Sequence, residues 1–541
     1  MKKLRVSFLF FSLIGLIVSG LVWGEEKELK TFTFYYGDSN ARTVDLSETS
    51  IGKKITAITG VKVKTEYIVG SDERTKSGLM IAAGDYPDLI LPHNETHKFV
   101  EAGALVPLDD FVAKSELVKK AYKGDLKKLA WKDGHIYFLS PIRPEPDRLY
   151  PSGGFYLPVD LLREAGWPVV TNIDQYFNLI RSYVKKHPTF NGKPTIGFTC
   201  EADDWRIYIL KQSGTHLMGY ANTGETIIDT KANTAHTYAL ASYTKAYIKK
   251  LNQLYLEGLF DKEAFSQNYD QYKAKIASGR VIGFFDERWQ FLDATKSLEE
   301  QKLFDRVHVA MPVLAKGVKR DAYMFPLVFS NTSGIGISKN CKDKVAAWKF
   351  LERFLMDDIQ KLNYWGIEGV DYSVVNGRMV KSPKQIQQLD DPDYCDKQGL
   401  TRFSWCFPRY AWGESYKYAD GNYVSPKDTP EYFAYQYKPY EKEILKQYNK
   451  KTFADFMAPP AKPPYGYVWD TPVEDGSPER IALQKCEDVS KKYLPKLVTA
   501  KKGEFEKIWK QYGAEYRKID TKRVEKHYTA EVQRRIKAWR E

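Results

Sequence analysis

Cysteine is scarce in this chain: five residues in 541, at positions 200, 341, 395, 406 and 486, with no C-x-x-C pair. That excludes a disulfide scaffold and the cysteine-rich zinc modules. The odd count leaves at least one thiol free, although Cys395 and Cys406 lie close enough in sequence to staple a loop in an oxidising compartment. The common motifs of catalysis are missing too. There is no G-x-S-x-G and no H-E-x-x-H. His93 and His97 stand four apart, but Glu95 between them is out of register for a zinc protease. Gly219–Thr226 has the spacing of a phosphate loop, yet Glu225 occupies the lysine position, where a carboxylate repels phosphate. Gly334-x-Gly336 lacks the third glycine of a dinucleotide loop. No repeat and no low-complexity tract is present. A pair of acids acting as in a glycosidase is not excluded, because 69 Asp and Glu are available.

What is present is bulk, basic charge and aromatic surface. The length exceeds what one core supports and suits two or three domains. The net charge is +13. Residues 501–541 hold 13 Lys/Arg against 7 Asp/Glu, so much of the excess sits in the tail. A solvated helix face accounts for it; an anionic partner is the alternative. Lys2, Lys3 and Arg5 precede an apolar run, Val6–Trp23, and the polar chain starts at Glu25. Residues 1–24 are therefore expected to be a signal peptide, with a retained anchor as the runner-up. No cysteine follows the apolar run, so no lipobox is available, and a periplasmic or freely extracellular protein is expected. Nucleic acid is not expected as a partner of such a chain. Aromatic content is 14%, with 37 Tyr and 12 Trp. Most of these serve cores, and the remainder suits a groove whose rings stack on pyranose faces.

Periodicity organises the first 150 residues. Thr31–Tyr36 reads as a strand, and a helix over about 50–58 ends at Gly60. Val61–Tyr67 alternates as a strand, a second helix closes at Gly84, and Asp88–Leu91 is a short apolar strand. Strand, helix, strand, helix, strand implies a parallel sheet, whose ligand loops lie beyond the strand C-termini. Pro141, Pro144, Pro146 and Pro151 forbid regular helix over 141–158 and read as a crossover. Further on, Thr171 with Asp174 reads as a helix start, and Tyr238–Leu256 as a helix. Val345, Trp348, Leu351, Leu355 and Ile359 form one apolar helix face. Residues 373–475 are rich in aromatics and proline with little period. Two apolar stripes follow, Phe505, Ile508, Trp509, Tyr512, Tyr516 and Ile519, then Tyr528, Val532, Ile536 and Trp539.

Several motifs resemble the extracellular solute-binding proteins that feed sugars to ABC importers. They are Thr59-Gly60-Val61, Met80-Ile81-Ala82-Ala83-Gly84-Asp85-Tyr86-Pro87-Asp88, Gly103–Asp110, Glu257–Phe265, Lys275–Phe285 and Asn363–Tyr372. The likeness is to the large subgroup similar to alginate- and oligogalacturonide-binding proteins. Asp160, Gly166, Pro168 and Thr171 match its second-lobe entry, without the usual Arg before the Asp. Where those relatives carry an Asp/Asn-rich calcium loop, this chain has His187-Pro188-Thr189-Phe190-Asn191-Gly192-Lys193, so that ion is not carried over and no metal or other cofactor is expected.

The resemblance implies an α/β, two-lobed periplasmic-binding-protein-like fold of type II, each lobe a mixed sheet flanked by helices, with a hinge between. The expected boundaries are 25–145 with about 328–370 for the N-lobe, and about 150–327 with 371–541 for the C-lobe. No catalytic residue is expected. Position at strand ends and in the matched loops nominates Tyr36, Asp38, Asn94, Glu95, Trp205, Arg206, Asp286, Arg288, Trp289, Trp365, Glu368, Tyr372, Trp405 and Arg409 as ligand contacts. The expected ligand is an oligosaccharide, an acidic one among the candidates, with membrane permease subunits as partners and the protein itself a monomer. The alternatives are a secreted polysaccharide hydrolase or lyase and a peptide-binding receptor.

Overall fold

The computed structural model describes residues 29–540 except 123–125, 141–148, 204–205, 221–223, 321–332, 412–415, 459–462, 467, 469–470 and 472. The expected signal peptide, the proline-rich start of the crossover and Trp205 lie outside the described residues. The first sheet begins with β1 (Lys30–Tyr36), which pairs in parallel with β2 (Val61–Tyr67) and β3 (Leu89–Leu91). A parallel sheet must be covered on both faces. Accordingly Phe32, Phe34 and Tyr36 enter one apolar cluster and Tyr35 another, all four buried. The intervening helices follow the caps read in the sequence. Thr49 accepts from the Gly52 N–H and Gly60 ends the first helix with a left-handed φ of 70°. Asp72 opens the second, and Gly84 ends it at φ 65°. Asp88 locks β3 to β1, accepting from the Thr33 N–H at 2.9 Å and its hydroxyl at 2.8 Å.

The sheet is completed by β4 (Phe138–Leu139) and, from far along the chain, β9 (Ile335–Ile337), giving the order β2-β1-β3-β9-β4. The second sheet contains β5 (Gly153–Pro158), β6 (Ile196–Phe198), β7 (Val281–Glu287) and β8 (His308–Met311), in the order β8-β5-β7-β6. β7 runs parallel to β6 and antiparallel to β5. Gly283 in β7 is required by a close approach: a Cβ there would sit 2.5 Å from the Tyr176 hydroxyl, which donates to the Tyr156 carbonyl at 2.7 Å. Each sheet is mixed and flanked by helices, and the chain has the two-lobed type II architecture.

Three local expectations are corrected. The start of the helix Ile173–Lys186 is capped by Asn172, which accepts from the Gln175 N–H, rather than by Thr171. Tyr238–Ala241 forms a turn, so the following helix is Ser242–Leu256. The apolar face from Val345 to Ile359 is divided between two helices, Lys344–Arg353 and Asp357–Tyr364. The break fits Asp357 and Asp358, whose charges favour a new helix N-terminus. At 187–193, where no cation loop is expected, Thr189–Phe190 and Lys193–Pro194 form a hairpin turned by Asn191 and Gly192, both at positive φ.

The placement of residues 371–541 also differs from the sequence reading. Phe407 lies 5.1 Å from Phe34, 5.6 Å from Phe350 and 4.4 Å from Phe354, and Arg42 pairs with Asp393 and Asp396. This stretch therefore packs on the first sheet. Further along, Tyr440 stacks on Phe304 and Tyr448 meets Trp167 edge-on, against elements that flank the second sheet. Aromatic content alone could not say which sheet those rings cover.

Three helices end the chain: Pro478–Val498, Phe505–Tyr516 and Thr521–Arg540. Phe505, Tyr512, Tyr516, Tyr528 and Val532 are buried, so both stripes are packing surfaces. Glu225, which spoils the phosphate-loop pattern, forms a buried ion pair with Lys211 on the helix Ile207–Leu217, and the Tyr516 hydroxyl lies 3.5 Å from its other oxygen. Removing one partner of a buried pair leaves an uncompensated charge, at a cost of about 3–5 kcal/mol. Lys211→Met should destabilise the protein on that scale in urea unfolding, and Lys211→Met with Glu225→Leu should recover most of the loss.

A second polar group tests the core of the same lobe. Asp286, near the end of β7, is fully buried and accepts from the Tyr272 hydroxyl at 2.7 Å, the Gln290 amide at 3.0 Å and the Glu287 N–H at 2.7 Å. Burial pushes its carboxyl up to about 8, and the acids Glu287 and Glu201 add to the rise. The folded protein thus keeps a proton that the unfolded chain releases near pH 4. This group's contribution is fully present below that pH and is lost as pH rises toward 8. Asp286→Asn, which cannot ionise, should flatten the dependence of stability on pH between about 4 and 8, read by urea unfolding across that range.

Candidate binding cleft

Loops beyond the strand C-termini hold several of the nominated residues. Beyond β1 come Asp38 and Arg42; beyond β3 come His93 and Asn94. Beyond β6 comes Glu201, and beyond β7 the helix Arg288–Glu300. Two adjoining cavities share Arg42, Arg402 and Trp405. The larger has a volume of about 1280 Å³ and the smaller about 230 Å³. The larger is walled by both lobes. Arg42, Trp405 and the segment 387–436 come from the first, and Tyr150, Arg288, Phe291 and Lys296 from the second. Its size exceeds the range usual for a small-molecule site and suits an extended ligand.

On the second-lobe side Tyr150 lines the larger cavity. Its ring stacks on Phe453 at 5.6 Å and meets Tyr437 edge-on at 5.7 Å, while its hydroxyl donates to Glu441 at 2.7 Å. The Arg288 guanidinium lies 3.7 Å over the same ring. Burial pushes the Glu441 carboxyl up, against the hydrogen bonds it accepts from the Lys438 N–H and Tyr150. On the other side the Trp405 indole is 55% exposed and faces both cavities, with the Arg409 guanidinium 4.9 Å from its ring. An exposed indole held from behind by a buried arginine presents a stacking face at little entropic cost.

The structure brings together some of the nominated residues and separates others. Tyr36, Asp38 and Trp405 line the smaller cavity; Arg288 and Trp405 line the larger. Arg409 touches the site through Trp405. Asn94 sits in a network centred on Glu73, which accepts from the Asn94 amide at 2.8 Å and the Ser39 N–H at 3.1 Å. Glu95 pairs with Lys98 at 2.6 Å. Burial opposes ionisation of Glu73, yet His93 and those donors hold its carboxyl below the ordinary value. Asp38, Glu73 and His93 bring three donor atoms within 4.8 Å, the closest approach to a metal-binding set among the described residues. Arg206 bonds Gln290 at 3.0 Å and lies 3.9 Å over Tyr269, at the edge of the Asp286 network, outside both cavities. Trp289 is exposed and bonds Glu287, also outside them.

Trp365, Glu368 and Tyr372 are not in the cleft. Trp365 is 1% exposed, donates to the Tyr423 carbonyl at 3.0 Å and meets Tyr372 edge-on inside a cluster with Met379, Tyr418 and Val424. Glu368 is exposed on the loop that Gly366 and Gly369 turn. Sequence reasoning missed Tyr150, Arg42, Arg402 and the aromatic run Tyr432–Tyr440. The signal available was the density of tyrosines in Tyr432-Phe433-Ala434-Tyr435-Gln436-Tyr437.

No helix among the described residues is long and apolar enough to cross a membrane. A profile of the family described as bacterial extracellular solute-binding protein matches residues 47–361. The fructooligosaccharide ABC transporter substrate-binding protein FusA of Streptococcus pneumoniae is 24% identical over 379 residues, 64% of this chain and 64% of FusA. The structure of S. pneumoniae FusA in complex with kestose superposes with a TM-score of 0.66 at 17% identity, covering 94% of this chain and 99% of that one. Alginate-binding protein AlgQ2, in its form without calcium ion, gives a TM-score of 0.60 at 17% identity, over 95% and 98%. With more than half its length matched, this chain belongs to the bacterial extracellular solute-binding protein family.

Proposed function

We propose that this protein captures an oligosaccharide in the larger cavity and delivers it to the permease subunits of an ABC importer, without converting it chemically. The observation that carries the reading is the cavity itself: about 1280 Å³ between two lobes, with aromatic faces from both. Rings supply stacking surfaces, and the surrounding carboxylates, amides and guanidinia meet hydroxyls. The family membership and the substrates in the names of FusA and AlgQ2 support the same ligand class. The N-terminal basic and apolar segment supports export, to the periplasm or the exterior, with residues 1–24 as signal peptide. The protein acts as a monomer. We place the first lobe at about 29–140 with 333–436 and the second at about 150–320 with 437–540, so that the chain crosses between lobes three times. Asp38, Tyr36 and Trp405 contact ligand from the first lobe, and Tyr150 and Arg288 from the second.

A thermal-shift panel of mature protein against oligosaccharides, with short peptides as controls, tests the reading. Ligand that binds only the folded state raises the melting temperature by mass action. A shift with a sugar and intact sugar recovered afterwards is the expected outcome. A shift with peptides alone, or release of cleaved product, would sink it. Trp405→Ala should weaken the responding sugar roughly 10- to 30-fold by calorimetry, as for a buried aromatic anchor. The same substitution should leave the unliganded melting temperature nearly unchanged, because the indole is exposed.

A further inference from the structure

We infer that the hairpin formed by the helices Pro478–Val498 and Phe505–Tyr516 is a docking surface for an anionic lipid bilayer. The surface is separate from the cleft and independent of what the cleft binds. It emerges when the basic excess of the tail, which lines neither cavity, is followed to its place in the fold.

Residues 485–518 hold ten Lys/Arg against five Asp/Glu. Most of the acids are engaged. Glu506 lies between Lys245 and Lys249 of the helix Ser242–Leu256, at 2.7 and 2.9 Å, and Glu515 takes Lys492 at 2.8 Å. Asp488 accepts from the Gln484 amide at 3.0 Å, and Glu487 is half-buried beside Tyr208. Glu504 is exposed and offsets one cation of the face. Among the described residues, Lys492 alone of the ten basic side chains has a carboxylate within ion-pair distance. The others are all exposed. The face therefore carries a positive charge that the protein leaves largely unneutralised.

The fold gathers these charges and holds them still. The two helices pack through Tyr493 and Tyr512, whose rings are 5.6 Å apart, and the Lys492–Glu515 pair marks the solvent side of their seam. Residues three, four and seven apart share a helix face. Lys485 and Lys496 stand seven and four residues from Lys492, and Lys518 stands three from Glu515, so all three border that seam. Lys501 and Lys502 belong to the turn that joins the helices. The turn is pinned from behind by Asn252, whose amide donates to the Val498 carbonyl at 3.0 Å and the Ala500 carbonyl at 2.8 Å. The lysines thus ride on fixed backbone and not on a frayed end.

The chemistry of the face selects its partner. All the basic residues of 485–518 except Arg517 are lysines. Lysine is a strongly hydrated point charge, depleted from protein interfaces, whereas arginine marks bidentate recognition. Of the large apolar side chains on the two helices, only Ile481 is exposed among the described residues. A protein partner would need an aromatic or aliphatic anchor there, and insertion into lipid would need an apolar face. Neither cavity reaches these helices, so no groove is present to track a single polyanion chain. A broad field of hydrated charges instead fits a continuous layer of phosphate headgroups, which each nearby lysine attracts within a Debye length. Such a surface adsorbs without inserting. On the transport reading above, adsorption would confine the search for a permease to the plane of the membrane.

The test is cosedimentation of the mature protein with vesicles of phosphatidylglycerol and phosphatidylcholine, beside vesicles of phosphatidylcholine alone. Binding should require phosphatidylglycerol and should fall as salt rises from about 0.01 M to about 0.15 M, which shortens the Debye length from about 30 Å to about 8 Å. Lys496→Gln, Lys501→Gln and Lys502→Gln together should weaken it at least roughly tenfold. Lys485→Gln with Lys518→Gln is the independent variant should the triple fold poorly. An equal loss of charge elsewhere, Lys54→Gln, Lys76→Gln and Lys384→Gln, should leave most of the binding intact, because these exposed lysines lie outside the hairpin. No binding to phosphatidylglycerol vesicles at low salt would overturn the inference, as would equal losses in the two triples. Binding to a soluble polyanion such as heparin but not to vesicles would overturn it in favour of that partner. Sugar-induced thermal shifts should be the same in all these variants, so failure here leaves the oligosaccharide reading standing.

Discussion

The cleft depends on one packing contact, the seating of Phe407 among Phe34, Phe350 and Phe354. Phe34 belongs to β1, an interior strand of the first sheet, and a parallel strand cannot leave its face to water. The ring that covers it arrives from nearly 400 residues away in sequence. By docking there, Phe407 fixes the short segment that carries Arg402, Trp405 and Arg409. Those residues then stand where the two cavities meet. A segment with little secondary structure of its own is thus made rigid by the core of a distant sheet, and the site inherits that rigidity.

The electrostatics follow a similar logic. Most charges near the cleft are matched locally: Arg42 and Arg402 share Asp396, and Lys427 holds Asp390. The excess of basic residues in the tail is a different matter, since it decorates the three terminal helices, whose buried faces are apolar. Overall charge therefore carries little information about the ligand. Setting also separates Lys211 from Arg288. The first is buried against Glu225 and serves the fold; the second rests on an aromatic ring.

Local structure was legible in the sequence where one residue type has one job. Gly60 and Gly84 end helices because they tolerate a left-handed backbone, and both do so here. The order of strands and helices through residue 91 followed from alternation and caps. The strand-end rule nominated Asp38 and Arg288, and the aromatic loop beyond Cys395 nominated Trp405; all three line one of the two cavities. What could not be read was the burial of aromatics. Trp365 and Trp405 both sit in aromatic, glycine-bearing loops, yet one is 1% exposed and the other 55%. The difference is set by which distant chain covers each ring. Tyr150 was missed for the same reason: its role comes from Phe453 beneath it and Arg288 above it, both remote in sequence.

Closure of such a molecule must draw its energy from somewhere. Away from the cavity the lobes also touch through Asp475, which pairs with Arg74 at 3.3 Å and Lys98 at 2.9 Å. Arg74 and Asp475 are largely solvent-exposed, and exposed ion pairs contribute little, about 0–1 kcal/mol. Such pairs can align two lobes but cannot hold them against the entropy of opening. The cavity can, because a ligand that touches Trp405 on one lobe and Tyr150 on the other makes its full set of contacts only when both walls are present. A ligand shifts an equilibrium only by its difference in affinity between the two states. On the proposed reading, ligand contacts on opposite lobes would make that difference large and so couple occupancy to closure.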